Sequence, residues 1–99
     1  MLLGRKIHGA GDHIRYAVDY SNWLGDGESL VSGTVVLDPA FTATVTDVVL
    51  SGVVVTPSHH LVFVMSGGSA NEVFTLDVQI TNSRGEIKND TIEFSIAAV

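Results

Sequence analysis

The sequence contains no cysteine, and only two of its 99 residues are proline. Without cysteine the chain can form neither a disulfide framework nor a thiolate-based catalytic site. Charged residues are also few, at 16% of the chain, whereas hydrophobic residues make up 45%. This composition is typical of a folded protein and excludes a disordered one. A chain of this length forms one domain with a modest core.

Positive charge is scarce as well. Five Lys and Arg residues stand against eleven Asp and Glu, which gives a formal net charge of −6. Residues 1–11 carry Arg5 and Lys6 without any acidic residue, so residues 12–99 carry a net charge of −8. The acidic body argues against a nucleic-acid partner, because binding a phosphate backbone requires clustered Lys and Arg. The basic start of the chain could instead pair with an acidic neighbour, including another copy of the chain.

The sequence also lacks long apolar runs and known catalytic motifs. Its most apolar interior run, Val48–Val55, is far shorter than the roughly 20 residues of a membrane-spanning helix, so we expect no membrane partner. No Gly-x-Ser-x-Gly segment presents a nucleophile, and the loop over residues 66–69 lacks the lysine of a phosphate-binding loop. We therefore expect no enzymatic activity, no cofactor and no bound metal.

Two short segments contain residue types that bind metals. Asp26 and Glu28 lie in a glycine turn, but calcium takes six to eight oxygen ligands, and two acids in such a turn are usually a solvated tip. His59 and His60 are adjacent, and adjacent residues of an extended chain point to opposite faces. A metal-dependent enzyme would require one of these acids to converge with a histidine.

The strongest positive signal is an apolar–polar alternation with a period of two. Two such runs lie on either side of Asn82-Ser83-Arg84-Gly85, a segment with turn-forming residues, and predict an antiparallel hairpin with one apolar face. A third alternating run covers residues 13–20. We predict that these runs share one core between two sheets, formed by Ile14, Tyr16, Val18, Leu76, Val78, Ile80, Ile92, Phe94 and Ile96.

Turn signals recur every eight to twelve residues, and no segment has helical periodicity. This spacing predicts an all-β fold, specifically an immunoglobulin-like antiparallel β-sandwich of about seven strands over residues 13–99. The loop with Trp23 and Leu24 is expected to fold back onto one end of the core, and Asp47 to mark a bend. Residues 1–12 are predicted to be a flexible arm, whose Arg5, Lys6 and His8 are candidates for binding a partner.

Two runs, Val48–Val55 and Leu61–Met65, are apolar on both faces of a strand. Either these strands are covered on both sides, or one face meets a partner protein, since an uncovered run of this kind promotes aggregation. We take this as a sign that the protein works inside an assembly, with Val53 and Val55 as candidate partner-binding residues.

The aromatic residues allow a second interpretation. Core packing is the default for them, because five of the seven occupy inferred core-facing positions. A carbohydrate-stacking platform is the alternative, and it requires at least two exposed aromatic residues on one face.

Several segments resemble small tailed-phage proteins. Residues 19–30, DYSNWLGDGESL, are similar to their aromatic-Ser-x-Trp-Leu-x-x-Gly-Glu-x-Ile segment. Residues 65–68, 74–76 and 82–85 are similar to their Ser-Gly-Gly, Tyr-x-Val-Thr and Thr-x-x-Gly-Arg pieces, although Phe74 replaces the usual Tyr and so cannot form a tyrosine-corner hydrogen bond.

The resemblance implies a non-enzymatic structural protein of a phage virion with an immunoglobulin-like fold. Our leading hypothesis is a capsid decoration (cement) protein that binds the major capsid protein. The alternative is a tail or fibre adaptor, and a carbohydrate-binding immunoglobulin-like module is a rival from another class. Expected partners are the major capsid protein or other virion subunits, together with copies of the chain itself.

Overall fold

Two β-sheets pack face to face in the computed structural model, which describes residues 2–38, 40–51 and 59–98. The strands are β1 (Leu2–Gly9), β2 (His13–Asp19), β3 (Leu30–Leu37), β4 (Thr44–Ser51), β5 (His60–Ser66), β6 (Val73–Asn82) and β7 (Ile87–Ala97). A four-stranded sheet has the order β1-β7-β6-β3, and a three-stranded sheet has the order β2-β5-β4. The predicted all-β sandwich is confirmed. The orders β2-β5-β4 and β3-β6-β7 are those of strands B-E-D and C-F-G in immunoglobulin domains.

The predicted hairpin is present as β6 and β7. These strands pair antiparallel with Phe74 opposite Phe94. Gly85 has φ of 84°, a left-handed conformation that glycine adopts without steric cost. The buried Asn82 side chain closes the turn, because its Oδ1 accepts hydrogen bonds from the backbone N–H groups of Arg84 and Glu86, at 3.0 and 2.9 Å.

The core is largely the predicted one. All six predicted residues of β6 and β7 are buried, and Tyr16 and Val18 pack against them while partly exposed. The prediction is wrong for Ile14, which is 41% exposed. β2 is an edge strand of the three-stranded sheet, so its inward side chains lie at the margin of the core.

The N-terminal segment differs from the predicted flexible arm. Leu2–Gly9 forms β1, which pairs in parallel with β7 at the edge of the four-stranded sheet. Leu3 packs against the core, His8 is 1% exposed, and Arg5 forms an ion pair with Glu93 at 3.3 Å. The sequence predicted a flexible arm here, whereas in the structure two inward side chains and an ion pair fix these residues to β7.

The central position of β5 explains why the run Leu61–Met65 is apolar on both faces of the strand. It is the central strand of its sheet, and its inward side chains Leu61, Phe63 and Met65 are fully buried. Its outward side chains Val62 and Val64 are half-buried. Val53 and Val55, proposed as partner-binding residues, lie outside the described residues.

Two smaller predictions concern irregular segments. Asp47 has φ of 53° and lies where the pairing register of β4 shifts, between Thr46 and Val49, so the predicted bend is a β-bulge. Trp23 and Leu24 both pack partly buried against the core, as expected.

The described residues contain no helix that is long and apolar enough to cross a membrane.

Candidate interaction surfaces

The basic residues of β1 have different environments. The side chain of Arg5 is 72% exposed even though it pairs with Glu93, and Lys6 is also exposed. Ile7, on the outward side of the same strand, is 78% exposed. Because β1 ends the four-stranded sheet, its outer backbone edge has no strand beside it among the described residues. Arg5 and Lys6 are thus placed where a partner can reach them.

His8 is buried, unlike Arg5 and Lys6, and its ring forms two hydrogen bonds within the chain. Its Nε2 lies 3.1 Å from the backbone oxygen of Asp12, and its Nδ1 lies 2.8 Å from the Tyr16 hydroxyl. A carbonyl oxygen only accepts hydrogen bonds, so Nε2 carries a proton and donates to Asp12, while Nδ1 forms a hydrogen bond with the Tyr16 hydroxyl. Burial and the nearby carboxylate of Asp12 raise the pKa of Tyr16, which keeps that hydroxyl protonated. His8 is not accessible to a partner; it ties β1 to β2.

A buried polar group was missed by the sequence reasoning. Asp90 is 2% exposed, and its Oδ2 accepts a hydrogen bond from the Tyr20 hydroxyl at 3.0 Å. Its Oδ1 lies 3.0 Å from Nζ of Lys88. Desolvation and the bond to Asp90 raise the pKa of Tyr20 well above its usual value. Asp90 lies two residues before the inward-facing Ile92 in β7. Because side chains alternate along a strand, this spacing predicts an inward-facing carboxylate.

The candidate metal residues only partly converge. His59 lines the same surface hollow as Asp26 and Glu28. However, Glu28 Oε1 already accepts from the backbone N–H of Gly25 at 2.8 Å, and its Oε2 lies 3.5 Å from Arg84. No group of three His, Asp or Glu side chains within the described part of the chain could hold a metal ion.

The aromatic residues bear on the carbohydrate-binding alternative. All seven belong to the described residues, and each one is buried or half-buried. Phe74 and Phe94 stack with ring centroids 6.0 Å apart, and Tyr16 meets Phe94 edge-on at 5.1 Å. These contacts form the core, so the exposed aromatic pair that a stacking platform requires is missing from the described surface.

The two outer sheet faces remain as broad surfaces, and they differ in chemistry. The face of the four-stranded sheet has a hollow of mainly polar residues, lined by Thr34, Val36, Asp77, Val78, Gln79, Asn89, Asp90 and Thr91. The face of the three-stranded sheet has a hollow with an aliphatic centre, lined by Arg15, Ala17, Asp47, Val49, His60, Val62 and Val64. The described residues thus form a two-layer sandwich whose two outer faces carry shallow hollows.

Comparison with known proteins identifies the family. Residues 9–95 match the model of the family described as podophage GP4 fiber-tail adaptor protein gp77. This chain belongs to that family. No curated protein matches it. The match begins at Gly9, where β1 ends, and reaches into β7, so it covers β2 to β6 completely.

Membership of the gp77 family makes the chain a structural component of a phage virion. The expected resemblance to phage virion proteins and the expected location in the virion are confirmed. The gp77 family supports the adaptor alternative better than the leading hypothesis of capsid decoration, which is not confirmed.

Proposed function

We propose that this protein is a non-enzymatic adaptor of the podophage tail that holds a fibre component on the tail. The observation that carries the proposal is the match of residues 9–95 to a family described as fiber-tail adaptor proteins. Its partners would be tail and fibre proteins, whereas a role for the major capsid protein has no support from the family.

The shape and surface chemistry of the sandwich support this role. An adaptor must contact two proteins at once, and a two-layer sandwich presents two outer faces in opposite directions. The face of the four-stranded sheet carries exposed aliphatic side chains among polar ones, with Ile7 78% and Val73 56% exposed on either side of Ser95. Such mixed surfaces are typical of protein–protein interfaces.

Arg5 and Lys6 remain proposed partner-binding residues. They lie on an edge strand, where a partner can add both a backbone strand and an acidic side chain. Lys6→Glu tests this contribution without removing the ion pair of Arg5 with Glu93. Arg84→Glu, on the distant β6–β7 turn, makes the same change in net charge and is the matched control.

The direct test uses phage particles assembled without this protein. We expect them to lack fibres in negative-stain electron micrographs and to regain fibres when the purified protein is added. Lys6→Glu should restore fewer fibres than Arg84→Glu, and the difference should shrink at high salt. Particles that keep their fibres but have shells that break more easily would overturn the proposal in favour of capsid decoration.

A further inference from the structure

The hollow on the outer face of the three-stranded sheet has an apolar centre and one charged side chain from each edge strand. A further carboxylate, Asp19, lies at the end of β2 beside His60, at 3.8 Å. Val62 and Val64 lie on the central strand β5, and Val49 on β4 is 53% exposed. Arg15 lies on the edge strand β2, and Asp47 on the edge strand β4. The three valines, Arg15 and Asp47 all line this hollow.

The two charges lie at nearly the same height along the strands. Arg15 pairs with Val64, which pairs in turn with Thr46, and Asp47 is the next residue after Thr46. β2 and β4 are separated by β5, so their backbones are about 10 Å apart, two interstrand spacings. Neither Arg15 nor Asp47 forms an ion pair with any described residue.

We propose that this face binds the same face of a second copy around a two-fold axis parallel to the strands. Such an axis keeps the height of every residue and places β2 of one copy opposite β4 of the other. Arg15 of each copy then lies opposite Asp47 of the other, and Val62 and Val64 of the two copies meet near the axis. The usual crossing angle of about 30° between packed sheets shifts these charges by only a few ångströms, which an arginine side chain can span.

The arrangement of charge is the reason to choose a second copy as the occupant. In a two-fold interface each surface patch must be complementary to itself. A face with charges of one sign would repel its own copy, whereas opposite charges at equal height on opposite edges form two ion pairs. The β-bulge at Asp47 helps to create this arrangement of charge. It interrupts the regular alternation of side chains along β4, and Asp47 lines the same hollow as Val49.

The size of the face sets the strength of the contact. Three strands about 4.8 Å apart and seven residues long give a face of roughly 14 Å by 24 Å. The area of this face, about 340 Å², is well below the roughly 800 Å² that each partner buries in a stable complex. We therefore expect a dissociation constant in the micromolar range or weaker, with pairing favoured where copies are held close together in the virion. The inference goes beyond the adaptor role, since it concerns contact between copies regardless of what each copy binds.

Sedimentation velocity of the purified full chain over a wide concentration range tests the proposal. The wild type should show reversible dimerisation that weakens with added salt. Arg15→Asp and Asp47→Lys should each weaken dimerisation about tenfold or more, because two attractions become two repulsions. The charge-matched controls Arg84→Asp and Asp26→Lys lie on loops outside this hollow and should dimerise like the wild type.

The decisive measurement mixes the two variants. In a mixed dimer of Arg15→Asp with Asp47→Lys, the two reversed charges face each other and the two retained charges face each other. The mixture should therefore dimerise close to wild-type strength although neither variant does so alone. Asp47 has a positive φ, so if Asp47→Lys does not fold, Asp47→Asn removes the charge and should weaken dimerisation by a smaller factor. A wild type that stays monomeric at every concentration, or a mixture no stronger than its components, would overturn the proposal without affecting the adaptor role.

Discussion

Replacing Tyr20 by Phe removes one oxygen atom from the interior and leaves the packing of the ring in place. Tyr20 is 4% exposed, and its hydroxyl donates to Oδ2 of Asp90 at 3.0 Å. Asp90 retains its contact with Lys88 on the other carboxylate oxygen. The substitution therefore isolates one buried hydrogen bond that joins residues 70 positions apart in the chain.

The expected loss follows from the charge on the acceptor. A hydrogen bond to a charged group contributes about 1.5–3 kcal/mol, more than a bond between neutral groups. For domains of 60–100 residues, each kcal/mol lowers the melting temperature by about 4–8 °C, so we expect a drop of roughly 6–24 °C. Because no buried surface is lost, the dependence of the unfolding free energy on denaturant concentration should not change.

Urea denaturation followed by circular dichroism measures this loss. Asp77→Asn changes an exposed carboxylate on the outer side of the same sheet and should alter the unfolding free energy by less than about 0.5 kcal/mol. A double-mutant cycle of Tyr20→Phe with Asp90→Asn should give a coupling energy of about 1 kcal/mol or more. If Tyr20→Phe costs less than about 0.5 kcal/mol, or if the two substitutions are additive, the buried pair does not stabilise the fold in the way argued.

Four further expectations follow from the fold. Phe94→Ala should lower the unfolding free energy by roughly 3–5 kcal/mol in the same urea assay, since Phe94 is fully buried, and an unchanged midpoint would contradict the register of β7. Gly85→Val should destabilise the hairpin thermally while Arg84→Ala should not, because only Gly85 needs a positive φ, and equal small effects would exclude a strained turn. The raised pKa of Tyr20 means that the folded state holds this proton more tightly, so stability should be intact below about pH 10 and fall above it, with a smaller fall in Tyr20→Phe. Removing residues 1–9 should lower the melting temperature instead of leaving it unchanged, because β1 covers the edge of β7, and an unchanged value would restore the view of a loose arm.

The hairpin could be predicted because its information is local. Apolar residues alternate strictly along β6 and β7, and the turn between them contains Asn and Gly at positions that favour a tight reversal. The inner residues of β2 followed the same rule, yet Ile14 is exposed. Alternation predicts which face a side chain occupies but not how far the opposite layer extends to cover it.

β1 could not be predicted for a specific physical reason. Its inward residues Leu3 and His8 are five positions apart, because a register shift between Leu2 and Gly4 breaks the period of two. Its partner β7 is far away in the sequence, and parallel pairing requires no turn signal between the strands. The basic residues Arg5 and Lys6, which suggest a solvated arm, are instead exposed side chains of a paired edge strand.

The sequence indicates the inward position of Asp90 but not its hydrogen-bond partner Tyr20. Asp90 continues the inward parity of Ile92 and Phe94, which is an unusual position for a carboxylate. Parity alone could not identify the Tyr20 hydroxyl as its partner, since that contact arises only when the two sheets close on each other. The parity of β7 would therefore have indicated the face that Asp90 occupies, but not the interaction that makes its burial possible.

The position of β1 changes where a partner can be bound. Arg5 is paired with Glu93 within the same chain, and His8 is buried, so the positive charge of the N-terminal segment is partly neutralised before any partner arrives. Attachment through charge alone then depends mainly on Lys6, and one exposed charge pair contributes only up to about 1 kcal/mol. The broad sheet faces must supply the rest. If copies pair through the three-stranded sheet, the four-stranded sheet and its β1 edge stay free on both sides of the dimer, and each dimer would present two identical surfaces to the tail and its fibre.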